Sequence, residues 1–487
     1  MGATVPSKQD LQQRSPWVWE VPATFRADMR VPARLYADED ILAQALSDRS
    51  LEQLVNTATL PGIVGQAMAM PDVHQGYGFP IGGVVATRVS DGVVSPGGVG
   101  YDINCGVRLL STRLHAGDVL PYVGELMTAL FAEVPVGVGS AGEVRIDRRE
   151  LRTVLVEGAG WAVRKGLGDR LDLEHTEDQG CLAGADPSKV SSRALERGLE
   201  QVGTLGSGNH FLELDEVTAV YDAATAETLG LREGDLCVWI HCGSRGLGHQ
   251  VCTDYVRSLQ PALNKYRLAI PDRELVCAPV SSPEGQDYLA AMACAANYAW
   301  ANRQAITHFV RRVFDRVLGQ RLGDPELKMV YDVCHNIAKI ETHRVDGHPE
   351  SLCVHRKGAT RAFGPGRPEV PADYRAVGQP VLIPGSMGTG SYVLVGTDVA
   401  MAETFGSTCH GAGRTMSRHG AIQSVSGGQL RRDLEQRGIA VRAQSDKGLA
   451  EEAPQAYKDV DAVVNVVHSH GMARKVARTR PLGVMKG

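Results

Sequence analysis

Five short segments of the chain, four of which contain glycine, each carry a histidine, a cysteine or an aspartate. Glycine lets a backbone turn tightly and approach a ligand closely, so such segments are typical of loops that build a binding site. They are spread between residues 101 and 413, so only the tertiary fold can bring them together. We therefore predict one polar, metal-bearing site. The segments are residues 101–106, 206–210, 241–246, 332–336 and 409–413.

The composition is that of a globular protein with a large core. The chain has 487 residues, of which 43% are hydrophobic and 22% are charged. A formal net charge of −5 argues against a protein that binds nucleic acid over most of its surface, but it is compatible with a local basic groove. Ten cysteines without a Cys-x-x-Cys pair favour a reducing compartment. No segment approaches the roughly 18 apolar residues of a membrane span. We expect a soluble, cytoplasmic protein.

Short β-type runs and helical patterns alternate along the chain. Asp186 followed by proline is a good helix start, and it predicts a helix to about Gln201. A long helix is predicted from about residue 281 to 318, where apolar residues recur three or four apart. Short strands are predicted at residues 82–86, 92–95 and 107–110, a helix at residues 424–438, and helix or strand pieces at residues 449–455 and 460–467.

This pattern predicts an α+β protein with central β-sheets flanked by helices and an active site built from loops. No repeat of 20–50 residues is present. Because motifs from both halves of the chain must share a site, we expect residues 16–487 to form a single integrated domain. The polar residues 1–15 are expected to form a disordered N-terminal tail.

Asp102 and Cys105 are the first candidate metal ligands, since they stand three residues apart just before a glycine. Three histidines, His210, His241 and His335, lie in similar small-residue loops. A thiolate favours softer ions such as Zn²⁺, whereas carboxylate and imidazole also suit Mn²⁺. Cys105 could bridge two ions, a common arrangement for phosphoryl chemistry. The alternative, that these are turn and core residues, stays open at this point.

His410 lies in a glycine-rich turn and is a different kind of candidate. Backbone N–H groups of this turn could face an anion, and Arg414 could hold a phosphate. Imidazole can act as a nucleophile at phosphorus. The alternative is that His410 has only a structural role in the turn.

The small-residue loop at residues 384–391 is another candidate. It suits the binding of a purine or a phosphate, or it is a plain turn.

Several common nucleotide-binding motifs are missing. The chain has no G-x-x-x-x-G-K-[ST] loop, which argues against a P-loop NTPase. One G-x-G-x-x-G match, at residues 137–142, is not followed by a clean helix and so does not favour a dinucleotide site. There is also no Lys-x-Asp-Gly, the nucleophile motif of lysine-dependent nucleotidyltransferases.

From about residue 19 to residue 487 the chain resembles the RtcB family of RNA ligases. The resemblance rests on long, specific strings, including all five segments described above. The other strings are residues 30–32, 60–63, 74–83, 95–98, 355–361, 403–414 and 486–487. Gln75 departs from the family pattern, but no metal or nucleotide role depends on it.

The resemblance implies a GTP-dependent ligase that acts in tRNA splicing or RNA repair. Such an enzyme joins an RNA 3′-phosphate or 2′,3′-cyclic phosphate end to a 5′-hydroxyl end. His410 would become covalently guanylylated, the GMP would pass to the RNA 3′-phosphate, and the 5′-hydroxyl would then displace GMP. A cyclic phosphate would first be opened by hydrolysis at the same site.

The resemblance also implies a set of site residues. Two Mn²⁺ ions would be held by Asp102, Cys105, His210, His241 and His335, with Cys105 bridging, Asp102 and His210 on one ion, and His241 and His335 on the other. Glu213 and Lys486 would read the guanine edge. The implied GTP-binding residues are Asn209, His210, Phe211, Leu212, Glu213, His335, Asn336, Pro384, Gly385, Ser386, Met387, Ser391, His410, Gly411, Ala412, Gly413, Tyr457 and Lys486.

Other roles are less specific. We expect Arg245, Arg356 and Arg414 to contact RNA phosphates, and Cys242 to be a packing residue rather than a second thiol near the ions. The implied partners are RNA ends and an archease-type activating protein, with a monomeric chain and no membrane. The main alternative is a two-metal phosphoesterase or nuclease acting on RNA ends, followed by a module that only binds such ends.

Overall fold

Two large β-sheets, of seven and eight strands, form the framework of the protein in the computed structural model, which describes residues 5–487. The strands, numbered in chain order, are β1 (Gln12–Ser15), β2 (Val18–Val21), β3 (Ala33–Tyr36), β4 (Ala67–His74), β5 (Ile81–Arg88), β6 (Val93–Val94), β7 (Gly106–His115), β8 (Phe211–Val220), β9 (Asp235–Cys242), β10 (Ala278–Pro279), β11 (Lys328–Cys334), β12 (Asn336–Val345), β13 (His348–Lys357), β14 (Ala359–Arg361), β15 (Pro380–Ile383), β16 (Ser391–Gly396), β17 (Ser407–Cys409), β18 (Ala440–Ala443) and β19 (Ala473–Lys486).

Both sheets are mainly antiparallel and mix early and late parts of the chain. The seven-stranded sheet has the order β1-β2-β3-β4-β5-β13-β12. The eight-stranded sheet has the order β11-β7-β9-β8-β19-β16-β15, with β18 beside β19. Two small sheets pair β6 with β10 and β14 with β17. The predicted α+β class, with sheets flanked by helices, is confirmed.

Helices cover the sheets, and one of them runs through the core. They are α1 (Glu39–Ala45), α2 (Ser50–Thr57), α3 (Ala116–Val119), α4 (Val123–Glu133), α5 (Arg148–Glu157), α6 (Ala159–Arg164), α7 (Arg170–Glu174), α8 (Ser192–Gly198), α9 (Ala223–Thr228), α10 (Arg245–Ser258), α11 (Gln260–Lys265), α12 (Pro283–Leu322), α13 (Asp398–Glu403), α14 (Arg418–Ser424), α15 (Gly427–Gln436), α16 (Asp446–Glu451) and α17 (Val460–His470).

The 40-residue α12 is the long helix that the apolar spacing predicts. Ser282 caps it by accepting a hydrogen bond from the Gly285 N–H at 3.1 Å, and proline occupies the first helical position. Its second half packs against one face of the eight-stranded sheet, where Ile306 and Phe309 join sheet residues such as Ile240 in one apolar cluster. This helix therefore passes directly behind the strands that carry the predicted ligands.

Two predicted helices are shorter than expected. Asp186 accepts a hydrogen bond from the Ser188 N–H, but it starts only a 3-10 turn, Pro187–Lys189. Ser191 then caps the separate helix α8. The helix predicted at residues 424–438 is present as the shorter α15, which Ser426 caps and which ends at Gln436. In both places a serine caps the helix later in the chain than the sequence pattern predicts.

The prediction of a disordered tail is wrong for residues 8–15, while residues 1–4 lie outside the described residues. Lys8–Asp10 form a 3-10 turn, and β1 pairs with β2 in an antiparallel hairpin. β1 is the edge strand, and its side chains are largely exposed whereas those of β2 are buried. The exposed strand β1 can be as polar as a disordered segment, because its pairing with the buried strand β2 is what orders it.

Three charged side chains are completely buried behind the eight-stranded sheet. Arg108 and Arg303 both donate to Asp332 at 2.8 Å, and none of the three side chains is exposed to solvent. Arg303 lies in the middle of α12, Asp332 on β11 and Arg108 on β7. The cluster therefore connects the long helix to two neighbouring strands.

Among residues 5–487, no helix combines the length and the apolar character needed to cross a bilayer.

The substitution Asp332→Asn tests this cluster. It should lower the free energy of unfolding by about 3–5 kcal/mol, because it leaves two buried guanidinium groups without a counter-charge. Urea unfolding followed by circular dichroism measures the loss. Glu216→Gln is the matched control, since the Arg480 partner of Glu216 is 57% exposed and the loss should be about 1 kcal/mol or less. Similar losses in the two variants would contradict the argument.

Candidate active site

The predicted metal ligands meet because four neighbouring antiparallel strands end at the same edge of the eight-stranded sheet. Cys105 directly precedes β7, His210 precedes β8 and His335 follows β11, while His241 lies at the end of β9. Neighbours in the antiparallel order β11-β7-β9-β8 run in opposite directions. The start of one strand therefore lies beside the end of the next. The five distant segments of the sequence thus converge as predicted.

Two groups of ligand atoms share Cys105. The Cys105 Sγ lies 3.2 Å from His241 Nε2 and 3.4 Å from His210 Nε2. His241 Nε2 lies 3.4 Å from His335 Nε2, and His210 Nε2 lies 2.7 Å from Asp102 Oδ2. Within each group the ligand atoms all lie within 4.8 Å of one another. This grouping is the one that the family resemblance implies for two ions with a bridging thiolate.

The chemistry of this donor set fits a pair of cations. The Nδ1 of His210 faces the carbonyl oxygen of Leu205 at 3.0 Å, so Nδ1 carries the proton and the lone pair of Nε2 points to the other ligands. Burial lowers the pKa of His241 and His335 well below the ordinary value, so both rings are neutral. Burial also raises the pKa of the Cys105 thiol to about 12. A bound cation would favour the thiolate and offset this effect.

Side chains behind the ligands hold them in place. The Ser244 N–H and Oγ donate to Asp102 Oδ1 at 3.0 and 3.2 Å, which leaves Oδ2 for the ligand group. The His335 N–H donates to the Cys105 carbonyl at 2.9 Å. Cys242 belongs to neither ligand group. It donates to the Leu205 carbonyl at 3.0 Å, which favours the packing interpretation.

Arg303 connects three of the ligand-bearing segments. Its Nη1 donates to the carbonyl oxygens of Asn104 and Cys242 at 2.9 and 2.8 Å. Its Nη2 donates to the side chain of Asn104 and to Asp332, and its Nε donates to Asp332 as well. All five N–H donors of the guanidinium are used. The residues that receive them lie next to Cys105, next to His241 and on the strand that leads to His335.

His410 lies beside the ligand cluster, with its ring centroid 4.7 Å from that of His335. It follows β17, and its backbone N–H donates to Asp72 Oδ2 at 2.9 Å. The same oxygen lies 2.5 Å from His410 Nδ1. Because Nδ1 faces a carboxylate, it carries the proton, and the lone pair of Nε2 is free to attack an electrophile.

Asp72 is a functional residue that the sequence analysis missed. It is fully buried on β4, in the other large sheet, 338 residues away from His410 along the chain. Gly413 allows the close approach, because its φ is +75° and a Cβ there would lie 2.2 Å from the Asp72 carbonyl oxygen. A buried aspartate inside an otherwise apolar β-run was the available signal in the sequence.

A cavity opens in front of His410, and most of the predicted nucleotide contacts line it. Its lining also includes His74, Ile81, His241, Gly358, Arg414, Arg418 and Glu452. The predicted residues that the structure brings together there are Asn209, Phe211, His335, Asn336, Pro384, Gly385, Ser386, Met387, His410, Gly411, Ala412, Gly413, Tyr457 and Lys486. Their role in nucleotide binding stays a prediction.

Four predicted contacts do not line this cavity. His210 lines a second cavity on the other side of the ligand cluster. Leu212 packs in the core. Ser391 accepts a hydrogen bond from the Gly385 N–H at 3.1 Å, and this bond stabilises the loop at residues 384–391. Glu213 is buried behind Phe211 on β8, and burial raises its pKa well above the ordinary value.

The second cavity meets the first at Asn209 and Arg418, which line both. Its lining combines three arginines and two histidines with four carboxylate residues, and the metal-ligand candidates Asp102 and His210 belong to it. Arg245 is buried there and donates to Thr204 Oγ1 at 3.2 Å. The remaining side chains include Tyr101, Val138, Glu196, Arg197, Glu200, Gln201, His249 and Glu451.

The three arginines predicted to contact RNA have different surroundings. Arg245 lines the second cavity and Arg414 lines the first, where it donates to Glu452 and to the Tyr457 hydroxyl, both at 3.1 Å. Arg356 is completely buried and forms a two-pronged ion pair with Glu341. The prediction for Arg356 is therefore wrong, because a guanidinium held in this way has no access to an RNA phosphate.

Comparison with known proteins agrees with these observations. A family profile described as tRNA-splicing ligase RtcB matches residues 53–487. The chain belongs to the RtcB family. It is 57% identical over 477 residues to the tRNA-splicing ligase RtcB of Archaeoglobus fulgidus, across 98% of this chain and 99% of that relative. The RNA-splicing ligase RtcB of Mycobacterium tuberculosis is 58% identical over 438 residues, which cover 89% of this chain and all 100% of the relative.

A third RtcB relative, the tRNA-splicing ligase RtcB of Thermococcus kodakarensis, is 56% identical over 469 residues, across 96% of this chain and 97% of the relative. The resemblance identified from the motifs is thereby confirmed. The alignments run nearly end to end, so the candidate site lies within the shared part of the chain.

Metal stoichiometry tests the shared ligand. We expect the wild-type chain to bind two Mn²⁺ ions, His335→Ala to lose mainly one, and Cys105→Ala to lose both, because only Cys105 belongs to both ligand groups. Equilibrium dialysis followed by metal analysis measures ions per chain. Cys277→Ala is the control, since Cys277 is also buried but belongs to neither group. Two tightly bound ions in Cys105→Ala would disprove bridging.

Proposed function

We propose that this protein is an RNA ligase that uses GTP and Mn²⁺ to join an RNA 3′-phosphate or 2′,3′-cyclic phosphate to a 5′-hydroxyl. The observation that carries the proposal is the position of His410. Its imidazole has a fixed tautomer, lies beside a five-residue ligand cluster and faces the cavity lined by the predicted nucleotide contacts. Membership of the RtcB family supports the same conclusion.

In the first step, His410 Nε2 would attack the α-phosphorus of GTP. An N–P bond would form, the bond to the bridging oxygen would break, and pyrophosphate would leave with the bond electrons. Asp72 would hold the Nδ1–H throughout and stabilise the positive charge that develops on the ring. The backbone N–H groups of the turn from Gly411 to Gly413 and the Arg414 side chain would bind phosphate oxygens.

In the second step, an oxygen of the RNA 3′-phosphate would attack the phosphorus of the histidine-bound GMP. The N–P bond would break, and its electron pair would return to His410 Nε2. The RNA 5′-hydroxyl would then attack the activated 3′-phosphorus, lose its proton and release GMP. The two Mn²⁺ ions, held by Asp102, Cys105, His210, His241 and His335, would neutralise phosphate charge and increase the electrophilicity of phosphorus.

The two cavities suit two substrates that meet at one centre. The first cavity would hold the guanine nucleotide, and the second would receive RNA, with Arg197, Gln201 and Arg245 facing its phosphates. The metal-ligand candidates form the boundary between the cavities. This arrangement would deliver an RNA end directly to the activated phosphate, although the net charge of the whole chain is −5.

A two-metal phosphoesterase acting on RNA ends remains the second candidate, because the same ligands would serve hydrolysis. The buried Asp72 carboxylate favours the ligase, since a hydrolase has no need of an oriented imidazole nucleophile beside the ions. The relatives are described as ligases of tRNA splicing or RNA splicing. We propose tRNA halves or other broken RNAs as substrates, a monomeric chain and an archease-type activating partner.

Labelling with GTP that is radioactive at the α-phosphate tests the proposed function. With Mn²⁺ present, the wild-type protein should form an acid-labile, alkali-stable adduct with GMP, and His410→Ala should form none. His348→Ala is the matched control, because His348 is exposed at the start of β13. Release of phosphate from RNA ends without any adduct would favour the phosphoesterase.

The variant Asp72→Asn tests the orientation of His410. We expect its rate of adduct formation to fall by roughly 10²- to 10⁴-fold, the range typical of losing the carboxylate that fixes a catalytic imidazole. Single-turnover labelling at saturating GTP gives the rate. The number of bound Mn²⁺ ions should not change, because Asp72 belongs to neither ligand group. An unchanged rate would show that the carboxylate is not needed.

A further inference from the structure

His74 is a second histidine in the wall of the cavity that contains His410. It ends β4, two residues after Asp72, and side chains two apart on a strand point to the same side. The pairing of β4 with β5 is irregular between Ala69 and His74. Such irregularities are common next to active sites, where they redirect side chains. Neither the sequence motifs nor the proposed steps assign a role to His74.

The hydrogen bonding of His74 determines its tautomer. Its Nδ1 lies 2.9 Å from the Asp72 carbonyl oxygen. A carbonyl oxygen can only accept, so Nδ1 carries the proton. Burial lowers the pKa of His74 to about 4, which keeps the ring neutral at pH 7. Nε2 is then an acceptor, and among residues 5–487 no group donates a hydrogen bond to it.

Several other groups in the cavity lining are donors to a nucleotide. Arg414, Arg418 and Lys486 are cationic, and the turn after His410 presents backbone N–H groups. These donors suit phosphate oxygens and base carbonyls, which accept hydrogen bonds. An acceptor such as His74 Nε2 requires a ligand group that carries a hydrogen. Phosphate oxygens are ionised at neutral pH and carry none, whereas ribose hydroxyls do.

His74 also lies at the end of the cavity that contains the nucleophile. Ile81 pairs with His74 across β4 and β5, and a Cβ on Gly358 would lie 2.3 Å from the Ile81 side chain and 3.1 Å from the His410 ring. Phe211 and Lys486 line another part of the cavity, where the Lys486 Nζ lies 5.3 Å from the centre of the Phe211 ring and where the resemblance implies the guanine edge. A hydroxyl that reaches His74 therefore belongs to a ribose close to the reacting phosphorus.

We propose that His74 Nε2 accepts a hydrogen bond from a ribose hydroxyl beside the reacting phosphate, and that this contact makes the site selective for ribose. The inference rests on the proposed function. Two riboses beside that phosphate carry hydroxyls that the reaction does not consume, the one of GTP and the terminal one of the RNA 3′ end, whereas the RNA 5′-hydroxyl is itself the nucleophile of the last step. The same acceptor chemistry would serve either of them. Asp72 would then position both histidines, His410 through its carboxylate and His74 through its carbonyl.

The experiment compares the enzyme with and without the acceptor on substrates with and without the hydroxyl. In the first arm, adduct formation is measured with GTP, 2′-deoxy-GTP and 3′-deoxy-GTP. In the second arm, enzyme already carrying GMP is mixed with RNA whose 3′-phosphorylated terminal nucleotide has a 2′-hydroxyl or a 2′-hydrogen. Wild type, His74→Leu, His74→Gln and the exposed-site control His348→Ala are compared in each arm.

We expect wild type and His348→Ala to prefer the hydroxyl substrate by roughly 3- to 10-fold in one arm, the value of one neutral hydrogen bond. His74→Leu should lose that preference, and His74→Gln should retain part of it because its amide oxygen can accept. The arm in which this happens identifies the ribose. A general disturbance of the site would slow both substrates equally and leave the ratio unchanged.

Two negative results have different meanings. If His74→Leu keeps the wild-type preference in both arms, or if wild type has no preference in either, the inference about His74 is wrong while the proposed function stands. If wild type forms no adduct with GTP at all, the proposed function itself fails. If the His74→Leu protein does not fold, His74→Gln takes its place, and a preference for the hydroxyl substrate equal to that of wild type would equally overturn the contact.

Discussion

The candidate site depends most on the hydrogen bonds that the buried guanidinium of Arg303 donates. It is completely buried in the middle of α12, and each of its five N–H groups has an acceptor. Those acceptors lie beside three of the segments that carry the ligands. A buried cation is favourable only when it is fully paired, so this group tolerates few alternative arrangements of the loops around it. Rigid placement of the ligands follows from that requirement.

A second constraint joins the two large sheets. Asp72 comes from the seven-stranded sheet, whereas the ligand cluster lies at the edge of the eight-stranded sheet. The contact between Asp72 and His410 places the imidazole against His335 and fixes which nitrogen is free. The metal-ligand candidates therefore lie on a different large sheet from Asp72, and the candidate site forms where His410 contacts residues of both. The same strand brings His74 into the cavity.

The electrostatics of the cluster fit bound cations. Burial disfavours both the thiolate of Cys105 and the charged forms of His241 and His335. The lone pairs of the ligands nevertheless point toward one another at separations of 2.7–3.4 Å. A cation bound among these atoms would stabilise the thiolate and the carboxylate in this geometry. Two-metal phosphoryl chemistry is consistent with such a geometry, and so is the glycine-rich turn that closes on Asp72.

The sequence by itself determined the metal-ligand candidates, His410, the α+β class, the long helix and the family, because each of these is carried by residue types in local patterns. Only the tertiary structure decided how Asp72 orients His410, how Arg303 supports the ligands and that Arg356 is buried against Glu341. Asp72 and His410 are 338 positions apart, and residue type alone does not show which buried charges will meet. The same reason explains residues 8–15, whose polar composition suggests disorder although pairing with the buried β2 orders them. Which distant side chains come into contact depends on which strands become neighbours in the fold, and a local sequence pattern does not show this.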